Sequence, residues 1–168
     1  MDTAWIGLGS NLGDRAGTLL AAFKALRDLP GVSEAALSPC YETEPMGPPQ
    51  PPYLNACARL RVEGMPPRRL LDWLQSLEGR FGRERAARWG PRTLDLDLLL
   101  FGDQALDEPG LTLPHPRLHE RVFVLRPLAD LDPALKSPGA LRTVRELLEA
   151  LGTAGTAPFP WPARGIRG

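Results

Sequence analysis

The sequence predicts an α+β fold, a ferredoxin-like sandwich with a βαββαβ core and long functional loops. Three observations carry that reading. Apolar residues recur at helical spacing over 15–29 and 68–81, and strand-type patterning covers 4–8, 32–41, 53–62 and 93–101. Pro and Gly clusters separate these segments in the order strand, helix, strand, strand, helix, strand, which is the ferredoxin-like order. Helices covering one face of such a sheet would leave the other face open for loops and ligands.

Each element has its own signal. Ala4 to Leu8 is a short apolar strand, ended by Gly9-Ser10-Asn11-Leu12-Gly13-Asp14. Asp14 suits an N-cap, and Leu19, Leu20, Phe23 and Leu26 then line one face of a helix stopped by Pro30-Gly31. Val32 to Tyr41 reads as a second strand ending near Glu42-Thr43. The stretch from Pro45 to Pro52 holds five prolines in eight residues and is a loop, because proline fixes φ and donates to no ladder. Tyr53 to Val62 alternates as a third strand. Pro66-Pro67 opens the second helix, with Leu70, Leu71, Leu74 and Leu77 on its apolar face. An arginine-rich connection runs to Pro91, and Thr93 to Phe101 is the fourth strand. Gly102 to Pro116 reads as loop with a short strand pair, and Val122 to Leu125 as a short apolar segment leading to Pro127. Arg142 to Leu151 reads as a last helix. Residues 1–151 are expected to form a single domain, and residues 152–168 a Gly/Pro-rich tail lying on the surface.

Composition narrows the class. A chain of 168 residues with 43% hydrophobic and 24% charged residues has the makeup of a globular domain large enough for a real core. Net charge is zero, which argues against a general nucleic-acid coat or an anionic-membrane binder. The cations are 18 Arg against 2 Lys. Cys40 and Cys57 lack metal-site or redox spacing and read as ordinary reduced thiols. No apolar run is long enough to span a membrane, so a cytoplasmic protein, monomeric and without membrane or nucleic-acid partners, is expected.

The fourth strand is the most informative segment. A strand puts Asp95 and Asp97 on one face, roughly 6.5–7 Å apart at Cα. Leu94, Leu96, Leu98 and Leu100 are expected on the other face, toward the core. Paired carboxylates repel unless a cation sits between them, and Arg83, Arg85, Arg88 and Arg92 just upstream suit an anion beside that cation. That combination fits phosphoryl transfer. The plain alternative is a strand end whose aspartates pair with the nearby arginines.

Three further stretches have two readings each. Gly7-Leu8-Gly9-Ser10-Asn11-Leu12-Gly13 is one residue too long for the dinucleotide fingerprint, and glycines serving a tight strand-to-helix bend account for it. There is no G-x-x-x-x-G-K-[ST], which excludes a P-loop. Tyr53 and Asn55 share a strand face, where a ring beside an amide suits a flat heterocycle; a half-buried tyrosine and a strand-end asparagine are the alternative. His115 and His119 stand four apart, but Pro114 and Pro116 oppose a helix through His115, so a phosphate-contacting His/Arg loop competes with a solvated loop.

Taken in order, four blocks resemble one family: Gly9-Ser10-Asn11-Leu12-Gly13; Tyr41-Glu42-Thr43-Glu44-Pro45-Met46-Gly47 with Tyr53-Leu54-Asn55-Ala56; Arg88-Trp89-Gly90-Pro91-Arg92-Thr93-Leu94-Asp95-Leu96-Asp97; and Pro114-His115-Pro116-Arg117 with Arg121 and Phe123. The chain from about residue 4 to residue 135 resembles the 6-hydroxymethyl-7,8-dihydropterin pyrophosphokinases of folate biosynthesis, and the third block is highly specific.

The resemblance implies transfer of pyrophosphate from ATP to the pterin hydroxymethyl group, with release of AMP. By that similarity Asp95 and Asp97 would hold two Mg²⁺ ions, with Asp97 also helping to orient the attacking hydroxyl. The pterin would stack between Tyr53 and Phe123 and be read by Asn55 and the segment Thr43, Pro45 and Met46, beside Asp95. Gln75, Glu78, Trp89, Arg92, Leu98, Thr112, His115 and Arg121 match positions that contact the nucleotide. Arg83, Arg85 and Arg92 match arginines that act on the phosphates. Pro116 and Gly110 depart from the family pattern near the adenine. Two other classes compete: a single-stranded RNA-binding sheet, weakened by the missing RNP1 pattern and zero net charge, and a metal-dependent nucleotidyltransferase, which would release pyrophosphate instead of AMP.

Overall fold

A computed structural model gives the architecture of the protein, described over residues 1–44, 49–81 and 94–162. The first half runs β1 (Asp2–Ser10), α1 (Arg15–Arg27), β2 (Val32–Leu37), β3 (Cys40–Thr43), β4 (Tyr53–Val62) and α2 (Pro67–Arg80). The second half runs β5 (Asp95–Phe101), β6 (Leu106–Glu108), β7 (Leu111–Leu113), α3 (Val122–Leu131), α4 (Val144–Leu151) and β8 (Thr156–Phe159).

Helices and an antiparallel sheet form a mixed α and β fold. Its strand order is β5-β1-β4-β3-β8, with β2 also paired to β4, and every pairing is antiparallel. β6 and β7 form a separate hairpin, the strand pair expected between Gly102 and Pro116.

On one face α1 and α2 bury Leu19, Leu26, Leu70 and Leu74 against Ile6, Leu60, Leu96 and Leu98. Each such leucine contributes about 1.5–3 kcal/mol by leaving water. The opposite face is not wholly open, as the sequence suggested. There α3 and α4 place Val124, Leu125, Leu128 and Val144 on Trp5, Cys57, Leu99 and Leu100. Only the end of this face that holds Asp95 and Gly9 lies away from that second core.

Four local features differ from the sequence reading. The apolar segment at Val122 is the start of a helix, which runs through Pro127 to Leu131. Proline there removes one amide from the helix, and burial of three neighbouring apolar side chains offsets the loss. The strand expected over Val32–Tyr41 breaks at Ser38-Pro39, where Pro39 has no amide to give. The Ser38 hydroxyl accepts from the Cys57 amide instead, at 2.9 Å. In β5 the pairing steps from Ile6 with Leu98 to Trp5 with Leu100, so Leu99 is extra. This bulge turns Leu100 onto the α3 face, whereas Leu94, Leu96 and Leu98 keep the expected one. Finally, the stretch read as a surface tail adds a strand. Thr156–Phe159 pairs with Cys40–Thr43, and Trp161 Nε1 donates to Ser38 O at 2.9 Å. Pro158 is tolerated because β8 is an edge strand.

Candidate active site

Directly paired residues of an antiparallel sheet point to the same face, so the register assembles the site. One row runs Asp95, Gly9, Asn55, Tyr41 across β5, β1, β4 and β3. The next row runs Asp97, Gly7, Cys57. Tyr53 pairs with Thr43 on the same face. At strand spacings of ~4.8 Å, Asp95 and Asn55 stand roughly 10 Å apart with Gly9 as the floor between them. These glycines are therefore not turn residues. A Cβ at Gly9 would sit 3.1 Å from Asn55 Oδ1, and one at Gly7 3.8 Å from the Asp97 Cβ. Their period-two spacing was the signal that they share a face.

Asn55 is buried and its Nδ2 donates to Thr43 Oγ1 at 2.7 Å, which orients its carbonyl toward Gly9. The last residues of the proline-rich stretch are fastened from the β1–α1 side. Asn11 Nδ2 donates to Gln50 Oε1 and to Pro51 O, at 2.9 and 3.1 Å. Arg15 donates to Glu42 and to Pro52 O, both at 2.9 Å. Asn11, just after β1, and Arg15, at the start of α1, thus hold the far end of the proline loop, a role that only the folded contacts reveal.

The His115 segment comes from a distant part of the chain and is tied to β5, because the His115 amide donates to Leu99 O at 2.9 Å. Arg121 immediately precedes α3 and lies over the Phe123 ring at 5.6 Å, so one predicted nucleotide residue touches one predicted pterin residue. His115 Nδ1 accepts from the Arg117 amide at 3.2 Å. Burial holds the His115 imidazole below its usual pKa, with Arg121 and Arg117 adding to that and Asp97 opposing it. The unfolded chain therefore takes up this proton more readily than the folded one. The stability that His115 contributes is full above the ordinary histidine range and is lost as pH falls through the folded value. Thermal melts between pH 8 and pH 5 should show a larger loss for the native chain than for His115→Gln. Equal losses would contradict this assignment.

His119 is directed elsewhere, with Nε2 at 2.7 Å from Ser137 Oγ, so the two histidines share no ligand. Both cysteines are free and buried, and burial pushes the Cys40 thiol up to about 12 and raises Cys57 as well. Neither is a nucleophile.

On α2, Gln75 is exposed, whereas Glu78 is buried and accepts from the Leu96 amide at 3.2 Å. That carboxylate caps the outer edge of β5 between the two aspartates. The Leu98 side chain is in the helix-side core, so any ligand contact from it is a main-chain contact. Thr112 is exposed on β7. Near the departure at Gly110, Arg68 Nη2 donates to Pro109 O at 2.9 Å. Pro45, Met46, Arg83, Arg85, Trp89 and Arg92 lie outside the described residues.

Among the described residues, no group of three or more His, Cys, Asp or Glu gathers as a metal cluster. Two carboxylates on one strand face suit a hard cation that takes its other ligands from water and phosphate, which is how Mg²⁺ binds at nucleotide sites. Asp95 and Asp97 fit that donor set. The missing side chain at Gly9 leaves room beside Asp95, while the Leu99 side chain lies against Gly7.

The sequence matches the family described as 7,8-dihydro-6-hydroxymethylpterin-pyrophosphokinase (HPPK) over residues 5–133. The chain belongs to this family. Its HPPK relatives include proteins named 2-amino-4-hydroxy-6-hydroxymethyldihydropteridine pyrophosphokinase. That of Pseudomonas aeruginosa is 46% identical, over 93% of this chain and 96% of its own length. That of Haemophilus influenzae is 42% identical, over 89% of this chain and 92% of its own. That of Synechocystis sp. is 41% identical, over 95% and 79%. A solved HPPK-DHPS chain of Plasmodium falciparum superposes with a TM-score of 0.72 at 15% identity, which shows likeness of fold. The superposition covers 89% of this chain and 45% of that longer one. No helix among the described residues is long and apolar enough to cross a membrane.

Proposed function

We infer that this HPPK family member transfers the β,γ-pyrophosphoryl group of ATP to the hydroxymethyl oxygen of 6-hydroxymethyl-7,8-dihydropterin and releases AMP, a step of folate biosynthesis. The observation that carries this reading is the row Asp95, Gly9, Asn55. With Asp97 in the next row, it sets two carboxylates and an amide on one sheet face, with Asn55 roughly 10 Å from Asp95 across Gly9.

In the reaction the hydroxymethyl oxygen bonds to the β-phosphorus, and the oxygen bridging the α- and β-phosphates leaves with AMP. Asp95 and Asp97 would hold two Mg²⁺ ions, which neutralise charge growing on the phosphates. Asp97 orients the attacking hydroxyl. The pterin lies between Tyr53 and Phe123, offset stacking supplies part of its binding, and Asn55 and Thr43 read its polar edge. His115, Arg121, Thr112, Gln75 and Glu78 take the nucleotide side. Arg83, Arg85 and Arg92 supply cations for the phosphates, where charge neutralisation and positioning do most of the catalysis.

The split arrangement, with β1 between β4 and β5, supports a ferredoxin-like sandwich extended by the edge strand β8. We read residues 1–151 with that strand as one catalytic unit, working as a cytoplasmic monomer.

Product analysis tests the reaction. Purified protein with ATP, Mg²⁺ and the pterin should yield AMP. ADP would point to an ordinary kinase, and free pyrophosphate to a nucleotidyltransferase.

A further inference from the structure

We propose that Arg126 is a positioning residue for the pterin site, coupling the helix that carries Phe123 to the strand pair that carries Thr43 and Asn55 by way of the C-terminal strand β8. This inference rests on the pterin-binding reading above. Arg126 lies three residues after Phe123 on α3, one turn along the same helix. Its Nη1 donates to Thr156 O at 3.0 Å and to Thr156 Oγ1 at 2.8 Å. The same guanidinium lies 4.4 Å from the centre of the Tyr41 ring, within cation–π reach.

Both contacts lead into the site. Thr156 pairs with Thr43, which pairs with Tyr53 and holds the Asn55 amide. Tyr41 pairs directly with Asn55. A second tie runs beside the first, because the Tyr41 hydroxyl donates to Asp130 Oδ2 at 2.5 Å, one turn further along α3. Burial and that carboxylate push the Tyr41 phenol up to about 12, so it remains a donor throughout the neutral range.

The two walls of the pterin slot stand on separate elements, Phe123 on α3 and Tyr53 on β4. α3 packs directly on β4 through Val124, Leu125 and Leu128 against Cys57, and Arg126 adds a tie from the same helix, with two hydrogen bonds to β8 and a ring contact to Tyr41 on β3. β8 is itself fastened at its other end, where Arg15 lies over Phe159 at 5.5 Å. On the nucleotide side His115 is held differently, through the Leu99 carbonyl and β5, and only Arg121 adjoins α3. Loss of Arg126 should therefore weaken pterin binding much more than nucleotide binding. A guanidinium that served only stability would lower both together, or neither.

The test is calorimetric. A non-hydrolysable ATP analogue is titrated with Mg²⁺, and 6-hydroxymethylpterin is then titrated into that complex, for the native chain, Arg126→Gln, Arg126→Lys and Thr156→Val. Arg126→Gln should weaken pterin binding about tenfold or more while the nucleotide Kd stays within about twofold, the scale expected for losing charge-assisted bonds. Arg126→Lys, which keeps the cation and one donor, should recover most of that loss. Thr156→Val, which removes the hydroxyl's bonds with Arg126 and with Thr153 O but keeps the carbonyl contact, should weaken pterin binding less and in the same direction; it decides the matter if Arg126→Gln does not fold. Unchanged pterin binding in folded variants, or equal weakening of both ligands, would overturn the proposal. Failure of the native chain to bind pterin would instead overturn the functional reading on which it rests.

Discussion

Replacing Asp97 with alanine should lower turnover by about 10³-fold or more and leave the melting temperature close to that of the native chain. The large effect follows from where the carboxylate stands. It faces the site beside Gly7, one strand residue away from the core leucines Leu96 and Leu98. A cation held at developing phosphate charge is worth several kcal/mol, and each 1.36 kcal/mol is tenfold in rate. The small effect on stability follows from the same position. Asp97 is only half buried and its neighbour on that face is another carboxylate, so its removal relieves repulsion and leaves the leucines packed. Asp97→Asn, nearly the same shape, separates charge from packing. AMP release and thermal melts measure both quantities, and full turnover in either variant would remove the metal assignment.

Gly9→Val should abolish useful pterin binding, weakening it by about 100-fold or more, and lower the stability of the fold by ~1–3 kcal/mol without unfolding it. Valine favours strands more than glycine does, and Gly9 is not among the residues with left-handed backbone, so β1 accepts the side chain. The new Cβ, however, would stand 3.1 Å from Asn55 Oδ1 and 3.7 Å from the Tyr53 ring. Its methyl groups would fill the floor between Asp95 and Asn55. The amide must then turn away from Thr43 or remain obstructed, and either outcome leaves a buried polar group badly paired, at ~1–3 kcal/mol before any steric clash with the ligand. Pterin titration and a melt of the same sample check the pair of expectations. Native-like pterin affinity would mean that the ligand does not cross Gly9.

What the sequence made legible was local. Period two put Asp95 with Asp97 and Tyr53 with Asn55, and the structure keeps both pairs on one face. Helical spacing of leucines located α1 and α2. Leu100 escaped because a bulge at Leu99 reverses the alternation, and no local pattern announces it. The helix α3 escaped because Val122-Phe123-Val124-Leu125 is β-branched and aromatic and runs into proline, so tertiary burial overrode propensity. The strand β8 is four residues long and contains proline; it exists only because β3 offers an edge.

The site was half legible for the same reason. Which residue types matter can be read along one strand, but that Gly9 lies between Asp95 and Asn55 depends on register between segments far apart in the chain. The hydrogen bonds made by Asn11, Arg15 and Arg126 are also long-range, reaching 27 to 40 residues along the chain, and leave no periodic trace.

The most direct measurement of the central claim is calorimetry of the native chain with a non-hydrolysable ATP analogue, with and without Mg²⁺, followed by the pterin. Nucleotide binding that needs Mg²⁺ and then strengthens pterin binding is the predicted result, because both ligands would meet at Asp95 and Asp97. Nucleotide binding indifferent to Mg²⁺, or pterin binding indifferent to nucleotide, would contradict a shared site on this face of the sheet.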